Sequence, residues 1–134
     1  MDRALLHLIS RRALDRCEYC HLPQAGHEER FSVDHVVPRK HGGDDSANNL
    51  AFSCLRCNLG KGSNLTGIDS SSNQVTPLFN PRVQTWRDHF RWNGPILVGI
   101  TPTGRVTVAV MLMNSPERVR LWQMLLLEGA IKIE

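Results

Sequence analysis

Residues 31–62, FSVDHVVPRKHGGDDSANNLAFSCLRCNLGKG, predict two short strands followed by a helix. The run RFSVDHVVP is apolar and rich in β-branched residues up to Pro38, and NLAFSC is a second run of strand type. The intervening GGDDSANN is typical of a loop. A helix from Leu55 to about Lys61 follows, and the nearby glycines would end it. We therefore expect the order strand, loop, strand, helix.

Composition limits the classes of protein to consider. The chain has 134 residues, of which 41% are hydrophobic and 22% charged, so we expect one compact globular domain of ordinary kind. The longest apolar stretches, PILVGI and VAVMLM, are too short to cross a bilayer, and the first ten residues make a poor signal peptide. We expect a cytoplasmic protein with no membrane partner. Because the formal charge is only +3, nucleic-acid binding would depend on where the arginines lie.

All four cysteines fall into two C-x-x-C pairs, Cys17 with Cys20 and Cys54 with Cys57. Two residues between the cysteines of a pair let both sulfurs reach one ion, and two such pairs complete a tetrahedral zinc site. Buried free thiols and disulfides are the alternatives, and a cytoplasmic chain disfavours disulfides. We predict a structural Zn²⁺, with an insert of 33 residues, 21–53, between the pairs.

The insert carries a further pattern: DH-x-x-P, then GG, NNL, C-x-x-C-N and KG. This order resembles the HNH (ββα-metal) endonucleases, of the stand-alone bacterial type with two CxxC zinc knuckles. It is also similar to the HNH domain of RNA-guided CRISPR nucleases, which shares DH…N…N and lacks the cysteines. The likeness covers roughly residues 17–62. The resemblance implies an α+β protein with a ββα-metal core stapled by the four-cysteine zinc site.

Asp34, His35 and Asn58 are the candidate catalytic residues. A carboxylate and an amide oxygen are hard ligands that suit Mg²⁺ or Mn²⁺, so Asp34 and Asn58 could bind a catalytic divalent cation. Imidazole commonly titrates near neutrality, so His35 could take a proton from the attacking water. The resemblance assigns the same roles and implies a single catalytic cation and products with 5′-phosphate and 3′-hydroxyl ends.

The adjacency of Asp34 and His35 raises a geometric difficulty. Neighbours in a regular strand point to opposite faces, so both can serve one phosphate only if the strand distorts or the substrate lies over its end. The stop at Pro38 favours a substrate over the strand end. The alternative is a solvated Asp beside a packing His, which an isolated DH would favour.

Asn49 occupies, by resemblance, the middle position of the HNH pattern. We interpret it as a scaffold residue of the catalytic site, whose amide ties the loop backbone to the strand end and holds His35 in orientation. An ordinary turn asparagine is the alternative, because Asn48 lies beside it and two consecutive asparagines are typical of loops.

Four basic residues surround the site in sequence and could bind the phosphates on either side of the cut. A solvated surface charge is the alternative for each of them, and Lys61 is the strongest candidate because it lies within the KG of the pattern. The four are Arg39, Lys40, Arg56 and Lys61.

The chain outside the insert predicts a module with an extension. RALLHLISRRALDR has helical spacing and leads into the first cysteine pair. We expect an HNH module with this leading helix at 1–66, a polar spacer at 66–74, and an α/β extension at 75–134 packed on the module as one unit.

The extension should consist of a helix, a hairpin and a helix. Asn80 and Pro81 resemble a helix start, ILVGI and RVTVAVML flank TPTG as a hairpin would, and Ser115 caps a last helix that ends before Gly129. Core packing is the first role we assign to the extension. DNA binding by its arginines is second, and a homodimer contact through the last helix is third. The arginines are Arg82, Arg87, Arg91 and Arg105.

Two classes of function are consistent with the sequence. The first is a metal-dependent endonuclease that hydrolyses DNA, with RNA cleavage by the same site as an open alternative. The second is a non-catalytic zinc module that binds nucleic acid or protein. Such a module needs the cysteines and arginines but has no use for Asp34, His35 and Asn58.

Overall fold

The computed structural model describes residues 2–131, which carry four α-helices and three two-stranded antiparallel sheets. The α+β class predicted from the sequence is confirmed. By their contacts these residues divide into two units: the first runs up to Leu65 and includes Asn80–Gln84, and the second comprises Thr66–Phe79 and the chain from Thr85 onward. No helix within residues 2–131 combines the length and the hydropathy needed to span a bilayer.

The leading helix predicted from the sequence is present. Helix α1 runs over Arg3–Arg12, and the side chain of Asp2 caps it by accepting a hydrogen bond from the backbone N–H of Leu5 at 2.9 Å. Ile9 and Ser10 are buried. The amphipathic pattern therefore gives α1 one inward face and leaves the arginines of its last turn outside.

The segment that opened the sequence analysis forms the predicted strand, loop, strand and helix. Strand β1 (Ser32–His35) pairs antiparallel with β2 (Leu50–Ser53), and helix α2 (Leu55–Lys61) follows. His35 is the last residue of β1 and lies opposite Leu50. Helix α1 packs on β2, and α2 packs on β1. Each strand of this hairpin is therefore packed against a helix.

The second unit contains two hairpins and two helices. Its elements are β3 (Thr66–Ile68) with β4 (Val75–Pro77), β5 (Phe90–Asn93) with β6 (Ile96–Gly99), α3 (Pro102–Val110) and α4 (Pro116–Leu127). Its core is apolar and partly aromatic, made by Phe79, Phe90, Leu97, Val106, Met111, Met113 and Trp122. The segment 66–74, expected to be a spacer, thus belongs largely to the first hairpin of this unit.

The prediction of a helix from Asn80 onward is wrong. Asn80–Gln84 forms a single turn closed by the N–H of Gln84 on the carbonyl oxygen of Asn80, and it belongs to the first unit. Val83, within this turn, is 77% exposed. Further on, Phe90 is buried and Arg91 exposed, the alternation of a strand. The segment after Asn80 therefore forms a turn and, further on, strand β5.

The prediction of a second hairpin strand in RVTVAVML is also wrong, because this segment lies in and just after helix α3. Thr101 caps it by accepting the N–H of Gly104 at 3.0 Å, with Pro102 at the first position. A Cβ on Gly104 would overlap the carbonyl oxygen of His89, so only glycine permits this close approach. TPTG thus starts a helix. The last predicted helix is confirmed as α4, and Gly129 follows it at φ 68°.

Candidate active site

The four cysteines converge on one point of the first unit. All are buried and none forms a disulfide, and their sulfurs lie within 4.8 Å of one another. The Sγ atoms of Cys20 and Cys54 are 3.8 Å apart. A tetrahedral ZnS₄ centre with bonds of about 2.3 Å has sulfurs about 3.8 Å apart. The cluster is therefore compatible with the predicted structural zinc.

Cys54 links the cysteine cluster to helix α2. Its Sγ accepts a hydrogen bond from the N–H of Cys57 at 3.5 Å and so caps the helix. Hydrogen bonds from Cys17 and then from the other cysteines lower the pKa of the Cys54 thiol, whereas burial raises the pKa of the Cys20 thiol. Asn58 follows directly in α2. The start of the helix is therefore fixed by the metal-binding cluster.

Asp34 lies inside the first unit and both of its carboxylate oxygens are bonded. The hydroxyl of Tyr19 donates to Oδ2 at 2.6 Å, and Nζ of Lys61 lies 3.3 Å from Oδ1 and 3.2 Å from Oδ2. Burial raises the pKa of Asp34, while the Lys61 ammonium and the Tyr19 hydroxyl act in the opposite direction. Burial and the Asp34 charge raise the pKa of Tyr19, so its hydroxyl stays protonated and donates.

His35 points away from this buried cluster. Its side chain is 19% exposed, and Nε2 lies 2.7 Å from Oδ1 of Asp45. Arg39 donates to the same oxygen from Nε at 3.1 Å and from Nη2 at 2.9 Å. Because an ionised carboxylate only accepts, Nε2 carries the proton, and Nδ1 is the free nitrogen of the neutral ring. Bonding by His35 and then by Arg39 lowers the pKa of Asp45 and keeps it ionised.

Asn49 ties the loop to the end of β1. Its Oδ1 accepts the N–H of Val37 at 2.9 Å, and its Nδ2 donates to the carbonyl oxygens of Val37 at 3.0 Å and Asp44 at 2.8 Å. A Cβ on Gly43 would overlap the carbonyl oxygen of Val37, which explains the second glycine of GG. The contacts to the loop backbone are those of a scaffold residue. The contact that holds the imidazole of His35 comes instead from Asp45.

Asn58 remains available for a ligand. It is half-buried in α2, and its side-chain amide makes no hydrogen bond to any residue within 2–131. An amide oxygen in this state is a suitable donor for a hard cation. Of the two expected cation ligands, Asn58 is therefore free, whereas Asp34 is bonded to Lys61 and Tyr19.

The comparisons with known proteins bear on this same segment. Residues 17–64 match the family model described as HNH endonuclease. The chain contains an HNH endonuclease domain. Members of this family are nucleases and act on nucleic acids. The HNH domain thus comprises both cysteine pairs, β1, β2 and α2.

A curated relative extends the likeness beyond the HNH domain. Septu protein PtuB of Bacillus thuringiensis is 30% identical over 107 residues, 78% of this chain and 39% of the relative. The chain therefore spans about two fifths of the length of that relative. No solved structure matches the chain.

The four basic residues expected near the cut have different environments in the HNH domain. Lys40 and Arg56 are exposed, and Arg39 is exposed but bonded to Asp45. Lys61, the strongest candidate for a phosphate contact, is 1% exposed, and its ammonium also donates to the carbonyl oxygen of His35 at 2.9 Å. In this structure Lys61 therefore binds Asp34 and the backbone at the end of β1.

Asp45 is the residue of the HNH domain that the sequence analysis missed. It lies ten residues after His35, in the GGDDSANN segment that we interpreted only as a loop. The sequence did contain one signal for this contact: an acidic residue in a short loop that must fold back towards the end of β1, where His35 lies. The spacing alone did not indicate which of the two adjacent aspartates would reach the imidazole.

Replacing Lys61 by methionine should destabilise the HNH domain. The change keeps the length of the side chain but leaves the buried Asp34 carboxylate without its ammonium partner, and breaking a buried ion pair costs about 3–5 kcal/mol. Urea unfolding of the zinc-loaded protein measures the free energy of unfolding. Lys40→Met, at an exposed position, is the control and should change it by less than about 0.5 kcal/mol. Equal effects of the two substitutions would contradict a structural ion pair.

Proposed function

We propose that this HNH domain hydrolyses phosphodiester bonds of DNA. The observation that carries the proposal is the position of His35, at the last residue of β1, partly exposed, with Nε2 bonded to Asp45 and Nδ1 free. A nitrogen base held in this way at a strand end can accept a proton from water. The match of residues 17–64 to the HNH endonuclease family supports the same interpretation.

In the proposed mechanism His35 is the general base. Its Nδ1 takes a proton from the water that attacks phosphorus, and the Asp45 carboxylate stabilises the imidazolium that forms. The bond from phosphorus to the 3′ oxygen breaks, and that oxygen takes a proton from solvent to give the 3′-hydroxyl end. Asp34 and Asn58 would hold a divalent cation, Mg²⁺ or Mn²⁺, which when bound neutralises charge on the phosphate oxygens. Asp34 points to the other side of β1 from His35, so the substrate lies over the end of the strand.

The ion pair of Asp34 sets a condition on this mechanism. Its carboxylate must be shared between Lys61 and a bound cation, or Lys61 must leave it. In this structure the ammonium of Lys61 also donates a hydrogen bond to the carbonyl oxygen of His35. The donor set of one carboxylate and one free amide oxygen suits a hard cation.

The experiment that tests the function is a cleavage assay on the purified, zinc-loaded protein. Supercoiled plasmid, linear duplex, single-stranded DNA and RNA are each incubated with Mg²⁺, with Mn²⁺ or with neither. We expect cutting of DNA that depends on the added cation, with 5′-phosphate ends that a ligase can reseal. Cutting of RNA alone would move the proposal to that substrate.

The alternative function, a non-catalytic zinc module, has one observation in its favour. Asp34 is fully engaged by Lys61 and Tyr19, as it would be if its role were structural. A protein of this kind would bind nucleic acid or protein without cutting under either cation. Nucleic-acid binding without cleavage in all four substrates would therefore select the module and reject the nuclease.

Within this mechanism Asp45 is a positioning residue that acts through His35. Removing such a partner of a functional histidine typically lowers activity about 10- to 100-fold. Asp45→Ala should therefore lower kcat by about this factor with little change in KM, because no contact with substrate is lost. Asp45→Asn keeps an acceptor oxygen for Nε2 and should recover part of the rate.

The test of the positioning role includes a readout that does not depend on activity. Nitrogen-15 NMR of the His35 ring at fixed alkaline pH reports which nitrogen carries the proton, and Asp45→Ala should shift the ring from the Nε2–H form to a mixture. Asp44→Ala is the matched control, because among residues 2–131 the Asp44 carboxylate bonds Ser46 and no other residue. An unchanged tautomer in Asp45→Ala, or the same loss of kcat in Asp44→Ala, would reject the role.

A further inference from the structure

A surface pocket of about 540 Å³ lies in the first unit, apart from the residues of the proposed mechanism. Two arginines and an asparagine supply its polar atoms, and a proline and a valine complete its wall. The five lining residues are Arg12, Asn48, Pro81, Arg82 and Val83. The two arginines are therefore positively charged hydrogen-bond donors, and the asparagine amide is neutral and can also donate.

Arg12 has no acidic partner in this pocket. Its guanidinium donates to the carbonyl oxygens of Ala47 at 3.0 Å and Leu50 at 2.6 Å, and no carboxylate within residues 2–131 forms an ion pair with it. Both carbonyl groups belong to the segment that carries Asn49 into β2. The positive charge of Arg12 is therefore uncompensated and lies against the loop of the HNH domain.

Arg82 is only partly satisfied by the protein. Its Nη2 pairs with Oε1 of Glu18, whose other oxygen accepts the N–H of Phe52 at 2.8 Å. Its Nε is buried and has no hydrogen-bond partner. Burial, and then the charge of Arg12, lower the pKa of Arg82 to about 10, so the two guanidinium groups repel each other. An anion bound in the pocket would relieve this repulsion between the two guanidinium groups.

We infer that this pocket binds a phosphate group. Guanidinium groups present planar donors that match phosphate oxygens, and two of them with an asparagine amide suit a tetrahedral anion. The source we favour is the backbone of the nucleic acid to be cut, which rests on the proposed function. Arg12 is bonded to the loop that leads to Asn49. A phosphate held in this pocket would therefore fix the position of the bound nucleic-acid strand relative to His35.

The test introduces a glutamate at the pocket, so that its carboxylate competes with phosphate for the two arginines. Val83 is 77% exposed, so Val83→Glu can bring its charge to the arginines without disturbing the core. Val75→Glu is the matched control: the same change, at a residue 69% exposed in the second unit. Both are made in a His35→Ala background, so that a bound DNA oligonucleotide is not cut, and both alter the net charge equally.

Binding is measured by fluorescence anisotropy over a range of salt concentrations. Val83→Glu should weaken DNA binding about 10-fold at low salt and reduce the slope of log K against log salt by about one. Val75→Glu should leave the slope unchanged. Equal slopes and equal affinities in the two variants would overturn the inference, and cleavage by the wild-type protein decides the proposed function separately.

A second measurement distinguishes a phosphate of the nucleic-acid backbone from free inorganic phosphate as the ligand of the pocket. Inorganic phosphate and the oligonucleotide are titrated in turn against the protein, with the Arg82 Nε–H followed by NMR. A shift with the oligonucleotide alone supports a backbone contact, and a shift with inorganic phosphate as well supports a site for any phosphate. Both titrations are repeated in the Val75→Glu control and in Val83→Glu. If the shift of the Arg82 signal is no larger in the control than in Val83→Glu for either ligand, the pocket is not a phosphate site.

Discussion

Replacing His35 by alanine is expected to lower the rate of DNA cleavage by about 10²- to 10⁴-fold, the usual contribution of a general base. The imidazole combines partial exposure, a free ring nitrogen and a carboxylate on its other nitrogen. Lys61 contacts residue 35 through its carbonyl oxygen, so the substitution leaves that bond intact. Plasmid nicking under single-turnover conditions measures the loss.

His41→Ala is the matched control for this experiment. His41 is exposed in the same loop, and its Nε2 bonds the carbonyl oxygen of Ser63 rather than a carboxylate. Its removal should leave the cleavage rate within a few-fold of wild type. Zinc content and circular dichroism should be unchanged in both variants. If His35→Ala cuts as fast as His41→Ala with the same metal dependence, the catalytic assignment of His35 is wrong.

The sequence predicted the HNH domain well because each of its elements carries its own local signal. Proline and glycine delimit β1 and α2, and the cysteine spacing alone dictates a convergent cluster. These local signals agree with one another, and the conformation that each segment adopts in the folded domain is the one that its own sequence favours. The elements and the metal-binding cluster therefore follow from residues that are close in the sequence.

The partners of the charged residues could not be predicted in the same way. Lys61 has the sequence context of a surface lysine, and only the packing of α2 on β1 brings it to Asp34. Asp45 reaches His35 because Asn49 and Gly43 fold the loop back onto the strand end. Each contact depends on a tertiary approach that neither composition nor spacing specifies.

The second unit shows the opposite balance between local and tertiary signals. The alternating valines of RVTVAVML favour a strand by propensity, yet the segment is helical because Thr101 and Pro102 start a helix and Val106 is buried against Gly67. A Cβ on Gly67 would lie 2.9 Å from Val110. The close approach of β3 to α3 decides the conformation, and it is visible only once both elements are placed.

Cys57→Ser is expected to cost the protein its zinc and, with it, the fold of the HNH domain. Structural zinc sites contribute roughly 10–16 kcal/mol of apparent binding energy, as much as the whole stability of a typical domain. Cys57 is fully buried in the cluster, and the N–H of Asn58 bonds the carbonyl oxygen of Cys54. Loss of zinc should therefore release the start of α2 and the Asn58 amide together. Metal analysis and amide hydrogen exchange measure the two effects.

Cys57→His is the control that separates the lost ligand from the lost cysteine. Imidazole nitrogen replaces thiolate in many structural zinc sites, so this variant should keep about one zinc per chain and retain more protection of α2 than Cys57→Ser. Cleavage should follow zinc content across the wild type and both variants, because the metal-binding cluster holds the helix that carries Asn58. Full cleavage by a zinc-free Cys57→Ser protein would show that the cluster does not position the catalytic residues.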